Sequence, residues 1–197
     1  MASSRLKLVL ASLWISTMAA LGFALWFLML SPDRERIGTA EFGRGDYQLV
    51  THAGDAFTQS SLRGQPSLVF FGFTHCPDVC PTTIGDIMTW REELGGTADD
   101  LRVFFVTVDP ERDTAEVLAD YIGWLPGAVG VTGAQDDINI AMRAFRVFAR
   151  KVPTAEGDYT MDHSSSVLLF SVDGEFVTNI SYQAPLEEAL ERLRRLF

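Results

Sequence analysis

Hydrophobic and polar positions divide the chain into two parts with different patterns. Leu8 to Leu30 is a run of 23 residues without a charged side chain. As a helix it would be roughly 34 Å long, enough to cross the ~30 Å hydrocarbon core of a membrane. From Asp46 onward, short apolar runs alternate with amphipathic stretches, a pattern typical of alternating strands and helices. We therefore expect a membrane anchor in residues 1–30, a polar, glycine-containing linker over 31–45, and one domain over 46–197.

The domain pattern predicts a specific order of elements. Strand patterns fall at 47–51, 56–58, 67–73, 101–108, 129–131, 167–172 and 175–181, and helix patterns fall at 81–94, 114–124, 135–148 and 185–197. Alternation of strands and helices predicts parallel strands with right-handed crossovers. The Asp173-Gly174 pair predicts a closing antiparallel hairpin. This order predicts an α/β domain of thioredoxin-like fold with an insertion before the final hairpin.

The flanks of the apolar run predict the orientation of the chain. A cleavable signal peptide is the alternative, but its apolar core is usually about 7–15 residues and ends in small side chains. Here the run ends in bulky residues, from Trp26 to Leu30. Arg5 and Lys7 precede it, so the positive-inside rule keeps the N-terminus in the cytoplasm. In a bacterium, this predicts a single-pass inner-membrane protein whose C-terminal domain lies in the periplasm.

Charge and cysteine content narrow the classes of function. The formal net charge is −10, and the part after residue 30 carries −12 because Arg5 and Lys7 are the only charged residues before Ser31. An acidic domain without a basic stripe repels phosphate backbones, so we expect no nucleic-acid partner. The chain has 2 cysteines, too few and too close together for a disulfide scaffold. They fit a local redox pair or a pair of metal ligands.

Cys76 and Cys80 lie between a predicted buried strand and a predicted helix. Ligand sites in open α/β sheets lie outside the carboxyl ends of the strands. Both cysteines precede prolines, Pro77 and Pro81, which disfavour helical dihedrals at the residue before them. We therefore predict a turn over 76–80 with Pro81 as the first helical residue. A helix N-terminus lowers a thiol pKa, and thiolates are soft ligands for copper(I), zinc or iron–sulfur clusters.

Two thiolates need a third ligand to complete a metal site, and His163 is the first candidate. It lies in a predicted loop before the strand at Val167; if that strand runs antiparallel to 67–73, the loop faces the cysteine turn. From the residues alone, His163 is either a ligand or a solvated loop histidine. His52 and His75 are expected not to be ligands, His52 because it lies in an exposed hairpin. The remaining side chains are assigned to packing or to turns: Met161, Phe70, Phe71, Phe104 and Phe105 to packing, and Asp78 to the turn.

Three sequence blocks resemble the Sco/SenC family of copper chaperones. They are FGFTHCPDVCPT at 71–82, VTVDPERDT at 106–114 and DYTMDHS at 158–164, in the order and at the spacing of that family. The resemblance covers Asp46 to the C-terminus, together with the single N-terminal anchor. It implies a thioredoxin-like fold with Cys76, Cys80 and His163 as ligands of copper(I) or copper(II), one ion per domain. For 109–114 we favour a strand-to-helix turn capped by Asp113 or Thr114.

The resemblance also implies a role in preparing the CuA centre of cytochrome c oxidase subunit II. Delivery of copper to that centre is the first hypothesis, and the protein is then a binding protein rather than an enzyme. The alternative is a thiol–disulfide oxidoreductase that uses Cys76 and Cys80 to reduce the CuA-site cysteines. A peroxiredoxin-type peroxidase lacks an evident electropositive pocket, apart from Arg112. A zinc hydrolase lacks a convincingly placed general base.

Overall fold

The structure is a computed structural model, and it describes residues 2–29, 41–155 and 157–197. Two compact units are distinguished, Met1–Gly38 and Thr39–Phe197. In the first unit, helix α1 covers Ala2–Met29. Among the described residues, no helix meets the length and hydropathy needed to cross a membrane. Leu30, the last residue of the expected span, and residues 31–40 of the expected linker lie outside the described part of the chain.

The second unit is built on one mixed sheet. Within the described residues it has seven strands in the order β2-β1-β5-β4-β3-β8-β9. Strand β3 is central, parallel to β4 and antiparallel to β8, and β4 is parallel to β5. The predicted α/β alternation and the antiparallel closing hairpin are therefore confirmed. The strands are β1 (Leu49–Thr51), β2 (Ala56–Phe57), β3 (Ser67–Gly72), β4 (Arg102–Thr107), β5 (Ala128–Thr132), β8 (Val167–Phe170) and β9 (Phe176–Ile180).

Helices cover both faces of the central strands, which explains why β3 reads as a continuous apolar run. Phe70 and Phe71 point to opposite faces because side chains alternate along a strand. Phe70 meets Phe105 of β4, and Phe71 meets Phe145 at the end of a helix. The predicted assignment of these phenylalanines to the core is confirmed. The helices are α2 (Val79–Leu94), α3 (Ala115–Ile122), α4 (Gln135–Ala144) and α5 (Leu186–Leu193).

Two local predictions were wrong. Helix α2 begins at Val79, so Cys80 is helical and Pro81 is the third helical residue rather than the first. Proline is tolerated there because the first four N–H groups of a helix have no intrahelical acceptor. The second difference is an additional antiparallel hairpin, β6 (Ala149–Pro153) and β7 (Tyr159–His163). His163 therefore ends a strand rather than lying in a loop.

Residues 41–45, which were expected to belong to the linker, contact the domain. The Phe42 ring stacks on Phe176 with a centroid distance of 4.1 Å. Gly43 donates its N–H to the Ala144 carbonyl and accepts a hydrogen bond from the Tyr47 hydroxyl. Phe42 therefore packs against the same core as the residues that follow Asp46.

Candidate metal centre

Cys76 and Cys80 lie where β3 passes into α2, at the carboxyl edge of the sheet. The Cys76 N–H donates to the Phe73 carbonyl and closes a turn. Asp78 is the N-cap residue of α2, but its side chain makes no capping hydrogen bond. The Cys76 sulfur accepts the N–H of Cys80 instead, at 3.4 Å. The thiol turn thus satisfies one of the unpaired amide donors at the start of the helix.

The pKa values of the two thiols are shifted in opposite directions. A hydrogen bond from the Cys80 side chain, helped by His163 and by backbone N–H groups, lowers the pKa of Cys76 to about 3, although its partial burial opposes this. Donating that hydrogen bond, together with burial, raises the pKa of Cys80 far above its usual range. Cys76 is half-buried and Cys80 is fully buried. These shifts favour the thiolate form of Cys76, the more accessible of the two, and the thiol form of Cys80.

His163 reaches the cysteines from the other side of the site. Its Nε2 lies 3.7 Å from the Cys80 sulfur, and its Nδ1 lies 2.9 Å from the Ser164 carbonyl oxygen. A carbonyl only accepts, so Nδ1 carries a proton, and Nε2 is the ring nitrogen that faces the sulfurs and can bind a metal ion. A backbone acceptor on the other ring nitrogen is the usual way to orient a metal-binding histidine. The ring of Phe73 meets the imidazole edge to face at 5.6 Å.

The three potential ligand atoms form one compact cluster. The Sγ atoms of Cys76 and Cys80 and a ring nitrogen of His163 all lie within 4.8 Å of one another. Bonds of about 2.0–2.3 Å to one ion, as zinc makes, would place three trigonal ligand atoms roughly 3.5–4 Å apart. The donor set therefore fits a soft ion with only small side-chain movements. A shallow pocket of about 260 Å³, lined by Phe73, Cys76, Pro77, Val79, Met161 and His163 among others, opens onto the cluster.

Among the histidine and acidic side chains that the structure describes, no other joins this cluster. Met161 is half-buried and packs against the core, as predicted. His75 is exposed and its Nδ1 lies 3.1 Å from the Thr74 hydroxyl. The expectation that His52 is an exposed hairpin residue was wrong. Its half-buried ring accepts the Gly130 N–H at 3.0 Å, because β1 lies beside β5.

The segment 109–114 does more than cap a helix. Thr114 is indeed the N-cap of α3 and accepts the Val117 N–H. Asp109 and Asp113, however, are 1% and 0% exposed, and both accept hydrogen bonds from elsewhere in the chain. The sequence signal for this role was two acidic residues directly after a predicted buried strand, at the same sheet edge as Cys76.

Comparison with known proteins identifies the family. The family described as SCO1/SenC matches residues 35–197 of this chain. The chain belongs to the SCO1/SenC family. The human mitochondrial protein SCO1 homolog is 39% identical over 153 residues, which are 75% of this chain and 50% of the human protein. The SCO2-like protein of Rickettsia prowazekii is 36% identical over 162 residues, 81% of this chain and 76% of its own length. The chain thus spans half the length of the human relative.

A solved SCO1/SenC structure supports both the fold and the choice of metal. Copper-bound ScoI of Bradyrhizobium japonicum is 41% identical, with a TM-score of 0.70, over 78% of this chain and 99% of that one. The predicted thioredoxin-like α/β fold is therefore confirmed for the domain. The Cys76, Cys80 and His163 cluster offers two sulfurs and one imidazole nitrogen, which are donors that suit copper.

Proposed function

We propose that this chain is a copper metallochaperone that delivers copper to the CuA site of cytochrome c oxidase subunit II. One ion is held by Cys76, Cys80 and His163. The observation that carries the proposal is the grouping of two sulfurs and one imidazole nitrogen within 4.8 Å. Thiolates with imidazole are a soft donor set that suits copper(I), and a related protein has been solved with copper bound. The oxidase is proposed as recipient from the resemblance of the three sequence blocks.

The position of the site suits transfer rather than storage. Cys76 is only half-buried, and the pocket above it opens to solvent. The ligands also come from separate elements: Cys76 from the turn before α2, Cys80 from the first turn of α2, and His163 from the β6–β7 hairpin. An incoming thiolate from a recipient protein can reach the ion at Cys76 and displace one ligand at a time.

The thiol–disulfide oxidoreductase remains the alternative, because Cys76 is half-buried and its lowered pKa favours the thiolate that disulfide exchange requires. His163→Ala separates the two functions, since disulfide exchange requires both thiols but no imidazole. In cells with this variant as the only copy, we measure the copper content of the CuA site and the thiol state of the subunit II cysteines. A chaperone leaves the site empty although its cysteines are reduced. Normal filling of the CuA site would overturn copper delivery.

His75→Ala is the matched control for this experiment. It removes an exposed imidazole close to the cysteines but outside the ligand cluster. We expect normal copper content at the CuA site with this variant. Anaerobic titration of the purified chain with copper should give one ion per chain for wild type and for His75→Ala, and sharply weaker binding for His163→Ala.

We also propose that residues 8–30 anchor the domain in the bacterial inner membrane with the domain in the periplasm. The support is the charge-free run of 23 residues and the two basic residues before it, Arg5 and Lys7. Such a position would hold the copper site on the same side of the membrane as its proposed recipient.

A further inference from the structure

One loop contacts both halves of the candidate copper site. This support loop, residues 109–114, joins β4 to α3. We propose that it fixes the thiol half of the site relative to the imidazole half, with Asp109, Arg112 and Asp113 acting as positioning residues. None of the three belongs to the ligand cluster. The proposal rests on the proposed copper site and explains why two buried acids lie beside it.

Asp113 holds the segment that leads into the thiol turn. Its carboxylate accepts the Thr74 hydroxyl at 2.6 Å and the Thr74 N–H at 3.1 Å. The Thr107 hydroxyl at the end of β4 donates to the same carboxylate at 2.6 Å, through the oxygen that also accepts the Thr74 N–H. Thr74 lies two residues before Cys76, so these bonds connect the thiol turn to the end of the neighbouring strand.

Asp109 and Arg112 hold the hairpin that carries His163. The Tyr159 hydroxyl donates to the Asp109 carboxylate at 2.9 Å. Arg112 is ion-paired with the same carboxylate, donates to the Tyr159 carbonyl at 3.0 Å, and stacks on the Tyr159 ring at 3.8 Å. Tyr159 and His163 lie on the same face of β7, because alternate strand residues share a face. Displacement of Tyr159 is therefore transmitted along the strand to the imidazole.

The hairpin depends on these contacts more than an ordinary strand pair does. Within the described residues, β6 and β7 pair with each other and not with the main sheet. Backbone hydrogen bonds to the sheet therefore do not fix its position. A further ion pair joins Lys151 of β6 to Glu111 of the same support loop. Arg112 also approaches the Phe73 ring, which itself contacts His163.

Two conservative variants test the proposal in the full chain. Tyr159→Phe keeps the ring against Arg112 but removes the hydroxyl bound to Asp109, and Thr74→Val removes the hydroxyl bound to Asp113. We measure copper(I) affinity anaerobically by competition with a chromophoric chelator, and the melting temperature of each metal-free protein. Each variant should bind copper(I) about 10-fold more weakly, the low end of the range for outer-shell partners of metal ligands. Arg150→Gln, which breaks an exposed ion pair on the same hairpin, should bind like wild type.

The same variants are then combined with His163→Ala. If the loop aligns the two halves, neither variant weakens copper binding further once the imidazole is absent, which is the coupling that a double-mutant cycle measures. Equal weakening with and without His163 would mean that the loop only stabilises the fold, and would overturn the proposal. If both variants bind copper(I) like wild type while His163→Ala still binds weakly, the positioning role of the support loop is wrong but the ligand set stands. If His163→Ala binds copper(I) like wild type, both the proposed ligand set and the positioning role of the loop are wrong.

Discussion

At the scale of single residues, Cys76 owes its acidity to neighbours that a thiol in solution lacks. The Cys80 side chain and the Cys80 N–H both donate to its sulfur. The amide belongs to the first turn of α2, where the helix dipole also favours negative charge. Cys80 is fully buried and holds its proton. The two thiols should therefore react very differently with the same reagent.

Alkylation of the metal-free, reduced chain tests this difference. The pKa of Cys76 is lowered to about 3, so its thiolate is already present at pH 5, whereas an ordinary thiol with a pKa of about 8.5 is protonated there. Iodoacetamide should label Cys76 at a nearly constant rate from pH 5 to 8 and leave Cys80 largely unlabelled. Mass spectrometry locates the label. A wild-type labelling rate that rises tenfold per pH unit would contradict the lowered pKa of Cys76. In Cys80→Ala, which lacks the side chain that donates to Cys76, the labelling rate should depend more strongly on pH.

The sequence indicates the three ligand residues, but it does not indicate the groups that hold them in position. The prolines around Cys76 and Cys80 marked the turn, and the resemblance of the third block singled out His163. The proton on Nδ1 depends on the Ser164 carbonyl, a backbone group that leaves no mark in the residue type. Tyr159 and Asp109 are 50 residues apart in the chain, so no local pattern could pair them.

At the scale of elements, β3 and α2 approach each other closely because β3 ends in a glycine. A Cβ atom added at Gly72 would lie 2.8 Å from the Phe105 ring and 2.9 Å from the Cys80 sulfur. Both neighbours are buried in the core. Glycine at this position therefore lets the helix that carries Cys80 pack against the central strands.

Gly72→Ala should disturb both the core and the copper site. Overpacking of this kind costs typically about 1–3 kcal/mol of the free energy of unfolding, and the added methyl displaces the Cys80 sulfur. Denaturant unfolding and copper titration of the full chain should both show a loss. Gly85→Ala in α2 is the control, because a Cβ atom added there would have no other part of the structure within 4 Å. That variant should gain about 0.5–1 kcal/mol, since alanine is favoured over glycine inside a helix. Unchanged stability of Gly72→Ala would contradict the close approach.

Elements with strong apolar patterns were predicted well, and polar ones were not. Strands β3 and β4 were recognised because all six residues of β3 and five of six in β4 are buried. The β6–β7 hairpin was missed because its residues are half-buried or exposed, so it shows no apolar alternation. Its stability comes from mutual backbone pairing and from contacts with the support loop, and neither can be read from local hydrophobicity.

At the scale of the whole molecule, the chain combines an acidic domain with an N-terminal apolar segment. The order of strands and helices was sufficient to predict the thioredoxin-like plan, because crossover handedness leaves few arrangements. Strand β8 does pair antiparallel with β3, which was the condition for His163 to face the cysteine turn, and Val167 lies beside Phe70. This register brings the chain segment after His163 to the end of the sheet where Cys76 lies. The global topology thus positions the site, and the support loop refines it.

The proposed membrane topology predicts where the C-terminus lies. Arg5 and Lys7 before the apolar run should keep the N-terminus in the cytoplasm and export the domain. A reporter enzyme that folds only in the periplasm, fused after Phe197, should be active, and a reporter active only in the cytoplasm should be silent. The mass of the mature protein should include residues 1–30, because bulky side chains end the run and offer no cleavage site. A cytoplasmic signal would contradict the orientation, and a mature N-terminus near residue 31 would contradict the anchor.

Replacing Arg5 and Lys7 with glutamine while adding lysines after residue 31 should weaken export, since the distribution of basic residues sets the direction of insertion.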